Sequence, residues 1–171
     1  MFEVLPNWHP IFVHFSIALF VMAAALYLFH PAVGGRWKSS IVAAARINLW
    51  LGAVLTVATV AAGVHAFVSV EHLPSQQSFM SDHRNWALAT AVIWWLIAIW
   101  EGWQAWQLKP PSKLVLAVML AAVVLLGVTG WKGGELVYRH GIGVQRTVST
   151  VQPTKQYSMR YSLTTFVIKI C

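Results

Sequence analysis

Charge and thiol are what this chain lacks. Only 10% of its 171 residues are charged and five are acidic, whereas a soluble domain carries about 25% charged residues. An ordinary water-facing surface is therefore excluded. The single cysteine is Cys171, so no Cys-rich zinc or iron–sulfur site can be assembled from this chain. There is no G-x-S-x-G nucleophile elbow, and acids near the histidines are few, which leaves nucleophilic catalysis poorly supported. The net charge of +7 comes without an aromatic-interleaved basic patch, and nucleic acid is not an expected partner.

What is present is long apolar sequence. Hydrophobic residues make up 58% of the chain. Four runs approach or exceed the roughly 20 residues that cross a ~30 Å hydrocarbon core. They predict helices over about 9–29, 41–70, 85–106 and 114–138, since a backbone in lipid must satisfy its own hydrogen bonds. The expected fold class is an all-α integral membrane protein, a four-transmembrane-helix antiparallel bundle over 1–143. A polar, basic segment over 144–171 reads as an extended C-terminal tail. The first run lacks a basic leader and a small-residue cleavage site, so it is expected to be a retained helix and not a signal peptide.

Local chemistry punctuates the runs. Asn7 is a candidate N-cap and Pro10 suits a first helical turn. His30-Pro31, Leu73-Pro74 and Lys109-Pro110-Pro111 break the chain between helices, and Ser81 or Asp82 is the expected cap of the third. No internal repeat is visible at this level. No charge at midspan or broken helix pair stands out, which disfavours a transporter. Arg36 and Lys38 in loop one, with Lys109 and Lys113 in loop three, place those loops in the cytoplasm by the positive-inside rule. Both termini then face the periplasm of a bacterial inner (plasma) membrane. Lys132, Arg139 and Arg146 argue the other way.

Seven histidines are conspicuous in so apolar a chain. Up-down-up-down topology brings His9, His14, His65, His83 and His140 to one membrane face. Ionisable groups in membrane segments are costly and tend to be functional, and imidazole is both a metal ligand and a proton carrier. The blander alternative, amphipathic boundary residues, suits His30 and His72 best. His9 and His14 differ by about 140° in direction and about 7.5 Å in height on one helix, so one planar cofactor cannot easily take both. The expected pairs are His14 with His83, facing inward, and His9 with His140, while His65 could belong to either or to neither. Most of the ten tryptophans read as an interfacial belt. Gly130 and Gly134 form a small-xxx-small pair suited to close helix packing, and Glu135 is expected to pair with Lys132 or Arg139.

Three segments carry a family resemblance: "HPIFVHFSIALFV" at 9–21, "HRNWAL" at 83–88 and "GWKGGELVYRHGIGV" at 130–144. Over about 5–145 the chain resembles DUF2231, a family of predicted bacterial membrane proteins. The family's histidines fall on His9, His14, His83 and His140. The resemblance implies an electron-transfer setting, since related proteins can carry appended Rieske or c-type cytochrome domains. It implies nothing for the tail.

Imidazoles without thiols fit haem b best: two histidines from different helices supply both axial positions and close the iron to substrate. One or two haems are expected, with Arg84, Lys132 and Arg139 as cations for propionates and a quinone as a further ligand at an unligated histidine. The protein would then be an electron carrier or redox-complex subunit, with the bilayer and a redox partner or larger membrane complex as its partners, and not a stand-alone enzyme. The competing expectation is a structural or assembly subunit whose histidines converge on a copper or zinc ion, or hold nothing.

Overall fold

The computed structural model describes residues 8–70 and 72–144. They form four long helices: α1 (His9–Phe29), α2 (Trp37–Ser69), α3 (Gln77–Trp106) and α4 (Lys113–Tyr138). Single 3-10 turns at His30–Ala32 and Pro74–Gln76 follow α1 and precede α3. All four helices are long and apolar enough to cross a membrane. The chain is an α-helical membrane bundle, as its composition requires. The Asn7 cap and the extended tail expected from the sequence lie outside the described residues.

Helix ends follow local chemistry. Pro10 occupies the first turn of α1, where its missing N–H leaves no helical bond unmade. The Ser112 hydroxyl accepts the Val115 N–H at 3.2 Å and caps α4. Before α3, the Gln76 side chain accepts the Leu73 N–H at 2.8 Å and closes the turn begun by Pro74. Two ends depart from expectation. Helix α2 begins at Trp37 and takes Lys38 into its first turn; α3 begins at Gln77, eight residues before Asn85. Ser81 and Asp82 are therefore inside α3 and do not cap it. The polar first turns of α3 carry the helix beyond the apolar run, which hydrophobicity alone could not mark.

The helices form a ring in chain order. Each packs on the next, α1 closes against α4, and the main chains of α1 and α3 stay apart across the diagonal. Large side chains bridge that diagonal: Phe20 and Trp94 stack at 4.2 Å with rings inclined by 11°. Such a stack contributes about 0.5–1.5 kcal/mol beyond area burial. Around it lie Ala23, Ala24, Ala45, Leu49, Ala98, Met119 and Ala122, all buried. Lipid supplies no hydrophobic drive between helices, so small residues that permit close approach matter most. Gly52 is the tightest case, since a Cβ there would stand 2.8 Å from the Phe20 ring. Outward, Val54, Leu96, Ile99 and Val124 are exposed, as a lipid-facing surface requires.

The core also corrects the expectation of no repeat. Along α1 run His9, Ser16, Phe20 and Tyr27; along α3, at a constant shift of 74 positions, run His83, Thr90, Trp94 and Glu101. Thr59 and Gly63 on α2 match Thr129 and Gly133 on α4 at a shift of 70. The contacts repeat as well. Ser16 Oγ meets Thr59 Oγ1 at 2.9 Å and Thr90 Oγ1 meets Thr129 Oγ1 at 2.8 Å. The hairpins α1–α2 and α3–α4 thus repeat part of one another's contact pattern about the bundle axis. Residues of α1 meet their own equivalents in α3 across it. Side-chain identity had diverged too far for the repeat to show as similarity.

Candidate functional site

The interior histidines are His9 and His83, the first equivalent pair on the axis. His9 opens α1, and its Nδ1 donates to the Thr59 carbonyl at 3.0 Å. A carbonyl can only accept, so this bond places a ring proton on Nδ1. The ring lies against Gly63, where a Cβ would come within 2.9 Å of His9 Cε1. His83 repeats the arrangement in the second hairpin. Its ring lies against Gly133, with Cε1 3.1 Å from where a Cβ would stand. The Thr129 main chain supplies its polar contact, yet Nδ1 is buried without a full hydrogen bond among the described residues. Two imidazoles from diagonal helices thus share one layer, each flanked by a glycine of the neighbouring helix.

The expected pairing of His14 with His83 is not what the fold assembles. His14 is exposed, and its Nδ1 bonds the Pro10 carbonyl of its own helix. The inward stripe of α1 holds Ser16, Phe20, Ala23, Ala24 and Tyr27. Stepping back seven residues from Ser16 reaches His9, whereas His14 falls off the stripe. The two histidines of α1 point apart, and His14, the one nearer the middle of the helix, is on the outside.

The remaining candidates stand apart from this pair. His140 stacks on Phe79 at 4.0 Å, and its carbonyl accepts from Gln76 Nε2 at 2.7 Å. His65 is exposed. Arg84 lies over the Phe67 ring at 5.0 Å and bonds the Asn85 side chain. Arg139 pairs with Glu135 at 2.7 Å, the expected acid with one of its two expected partners. Lys132 pairs with Asp82 and lies 5.6 Å from the Trp86 ring centre. Gly130 meets nothing within 4 Å where a Cβ would stand; Gly133, in place of the expected Gly130–Gly134 pair, makes the close approach. Among the described residues no three His, Cys, Asp or Glu side chains converge as a metal ion would require.

A second polar centre, absent from the sequence reading, lies at the other end. Tyr27 and Glu101, the last equivalent pair on the axis, bond directly: the Tyr27 hydroxyl donates to Glu101 Oε2 at 2.8 Å. Arg46 Nε donates to the same oxygen at 3.2 Å. Its NH2 donates to the Lys109 carbonyl at 2.8 Å. The Glu101 side chain is wholly buried, and its Oε1 has no hydrogen-bond partner among the described residues. From His9 to Tyr27, and from His83 to Glu101, is eighteen residues, or about 27 Å of helix. The two centres therefore sit near opposite faces of a ~30 Å core. A signal for this centre was legible: Arg46 is the one charged residue in 41–70 and Glu101 the one in 85–106.

These features define a class: a four-helix membrane bundle built of two related hairpins, with an imidazole pair on its axis. The model of the DUF2231 family, described as a predicted membrane protein, matches residues 6–146, and the chain belongs to that family. No curated protein and no solved structure matches it.

Proposed function

We propose that this protein is a membrane haem b carrier that passes electrons within a larger redox assembly, with His9 and His83 as the axial pair. The observation that carries the reading is their equivalence: two imidazoles at one level of diagonal, parallel helices, with glycines beside both. Each ring also contacts a main-chain group through the threonine of the adjacent helix, the kind of outer contact that orients a ligating imidazole. When bound, the haem would supply one-electron chemistry, and two histidine ligands would keep its iron closed to substrate. The proposed partners are the quinone pool in the bilayer and a redox protein at the histidine face. With loops one and three in the cytoplasm, that face is periplasmic and the membrane is the bacterial inner membrane.

The test is a reduced-minus-oxidised optical spectrum of full-length protein purified from a haem-sufficient host. A Soret band with paired α and β peaks on reduction is the expected result. Protein that carries no haem under those conditions overturns the reading. Copper or zinc found instead, by metal analysis of the same sample, would favour an assembly subunit.

A further inference from the structure

We propose that Glu101 is a proton-exchanging carboxyl, positioned by Tyr27 and Arg46, on the loop-one and loop-three side of the membrane. This goes beyond the haem reading and does not rest on it.

Geometry separates this centre from a fixed ion pair. An ionised carboxylate offers about four acceptor positions, and an arginine meets it best through a parallel two-bond fork. Here both donors converge on Oε2, and the buried Oε1 has no hydrogen-bond partner among the described residues. Arg46 offers only Nε to the carboxyl and turns NH2 to the Lys109 carbonyl. The guanidinium is thus anchored independently of Glu101 and retains 15% of its side-chain exposure. If Oε1 takes a proton, Oε2 becomes a carbonyl oxygen and still accepts from Tyr27 and Arg46. The hydrogen bonds to Oε2 persist in both protonation states, and the step is simple: one proton from the aqueous side, entering past the partly exposed Arg46, adds to the carboxylate at Oε1 and leaves by the same way.

The internal repeat argues that these charges are not there for packing. The position in α1 equivalent to Glu101 is Tyr27; the position in α4 equivalent to Arg46 is Leu116, an apolar residue packed on the core. The bundle closes this level in one half with a phenol and a leucine, and only the other half carries the charged pair. The ionisable groups that meet Glu101 are Tyr27 from α1 and Arg46 from α2. Buried α4 residues at this end, Val115 and Met119, are apolar, and the connection before α4 contributes the Lys109 carbonyl through Arg46.

Infrared difference spectroscopy tests this on full-length protein in lipid vesicles, titrated with pH, with far-UV circular dichroism reporting the helices. The expected signal is the C=O stretch of a protonated carboxyl that grows as pH falls and shifts in D2O. It should vanish in Glu101→Gln and persist in Glu135→Gln. Tyr27→Phe removes one of the two bonds to Oε2, so it must move both the band's frequency and its midpoint. That variant also decides the matter should Glu101→Gln fail to fold. No such band over the pH range in which the helices persist, or a band unmoved by Tyr27→Phe, overturns the proposal and leaves Glu101 a fixed partner of Arg46. The signal does not involve haem, so a missing carboxyl band and a missing Soret band are separate failures.

Discussion

The two ends of the bundle bury polarity in opposite ways. At one end the equivalent residues are alike, His9 and His83, and each is tied to the neighbouring helix of its own hairpin. At the other end the equivalents differ, Tyr27 and Glu101, and they are tied to each other across the axis. The first arrangement keeps the approximate symmetry and presents two like groups to whatever lies on the axis. The second breaks it and gathers unlike groups into one hydrogen-bonded unit. Symmetry retained suits a ligand held from two sides; symmetry broken suits a single titrating group with attendants.

The sharpest way to break this comparison is to remove one imidazole at a time. His9→Ala or His83→Ala should abolish haem retention, because neither ring has a substitute in its layer. His14→Ala should leave haem content at wild-type level, because His14 lies on the outer face of α1. Pyridine haemochrome assay of the purified variants reads this directly. Haem lost from His14→Ala and kept in His9→Ala would restore the pairing drawn from sequence.

The opposite end should respond in stability. Arg46→Ala leaves the Glu101 carboxyl buried without its cation, and breaking a buried pair from one side destabilises by about 3–5 kcal/mol. The double variant Arg46→Ala with Glu101→Gln should recover part of that loss. Lys132→Ala removes an ion pair whose Asp82 partner is half exposed, and exposed pairs contribute about 0–1 kcal/mol. Reversible unfolding in mixed micelles compares the three. Equal losses for Arg46→Ala and Lys132→Ala would mean that the two ends do not differ in burial as described.

The two glycines test whether the hairpins are equivalent in detail. Gly63→Ala should push the His9 ring harder than Gly133→Ala pushes His83, since the approaches are 2.9 and 3.1 Å. Overpacking of this kind destabilises by about 1–3 kcal/mol, with Gly63→Ala toward the upper end. Unfolding midpoints of both variants give the order.

Much of this was legible before the structure. Run length and loop prolines gave the class and number of helices, because lipid leaves the backbone no alternative. Periodicity separated His9 from His14, but it could not say which faced inward: nearly every other residue of α1 is apolar, so no polar face marks the outside. The stripe from Ser16 to Tyr27 became visible only through its partners on α2 and α3. The repeat escaped because equivalent positions share size and polarity without identity, as Phe20 and Trp94 do. Arg46 and Glu101 each stand alone as charges in apolar runs, but a separation of 55 residues leaves no local pattern that marks them as partners.

The smallest effect expected lies between the helices, at His72 in the turn joining α2 to α3. Its Nδ1 meets the Val70 carbonyl at 2.9 Å and its Nε2 meets the Gln77 side-chain oxygen at 2.6 Å. Both partners present acceptor oxygens to the ring, an arrangement that favours its protonated form. The Val70 bond first, and the Gln77 bond second, raise the His72 pKa above its ordinary 6.5. A raised folded-state value means that the turn's added stability is fully present below about pH 6.5, the unfolded reference. It fades as pH rises through the folded value. The side chain is only partly covered, so the effect should be slight. It should show as a small fall in unfolding midpoint above neutrality that His72→Gln removes, together with an NMR titration of His72 above that of a free imidazole. A midpoint that rises over the same interval would reverse the sign and place the proton off His72 in the folded turn.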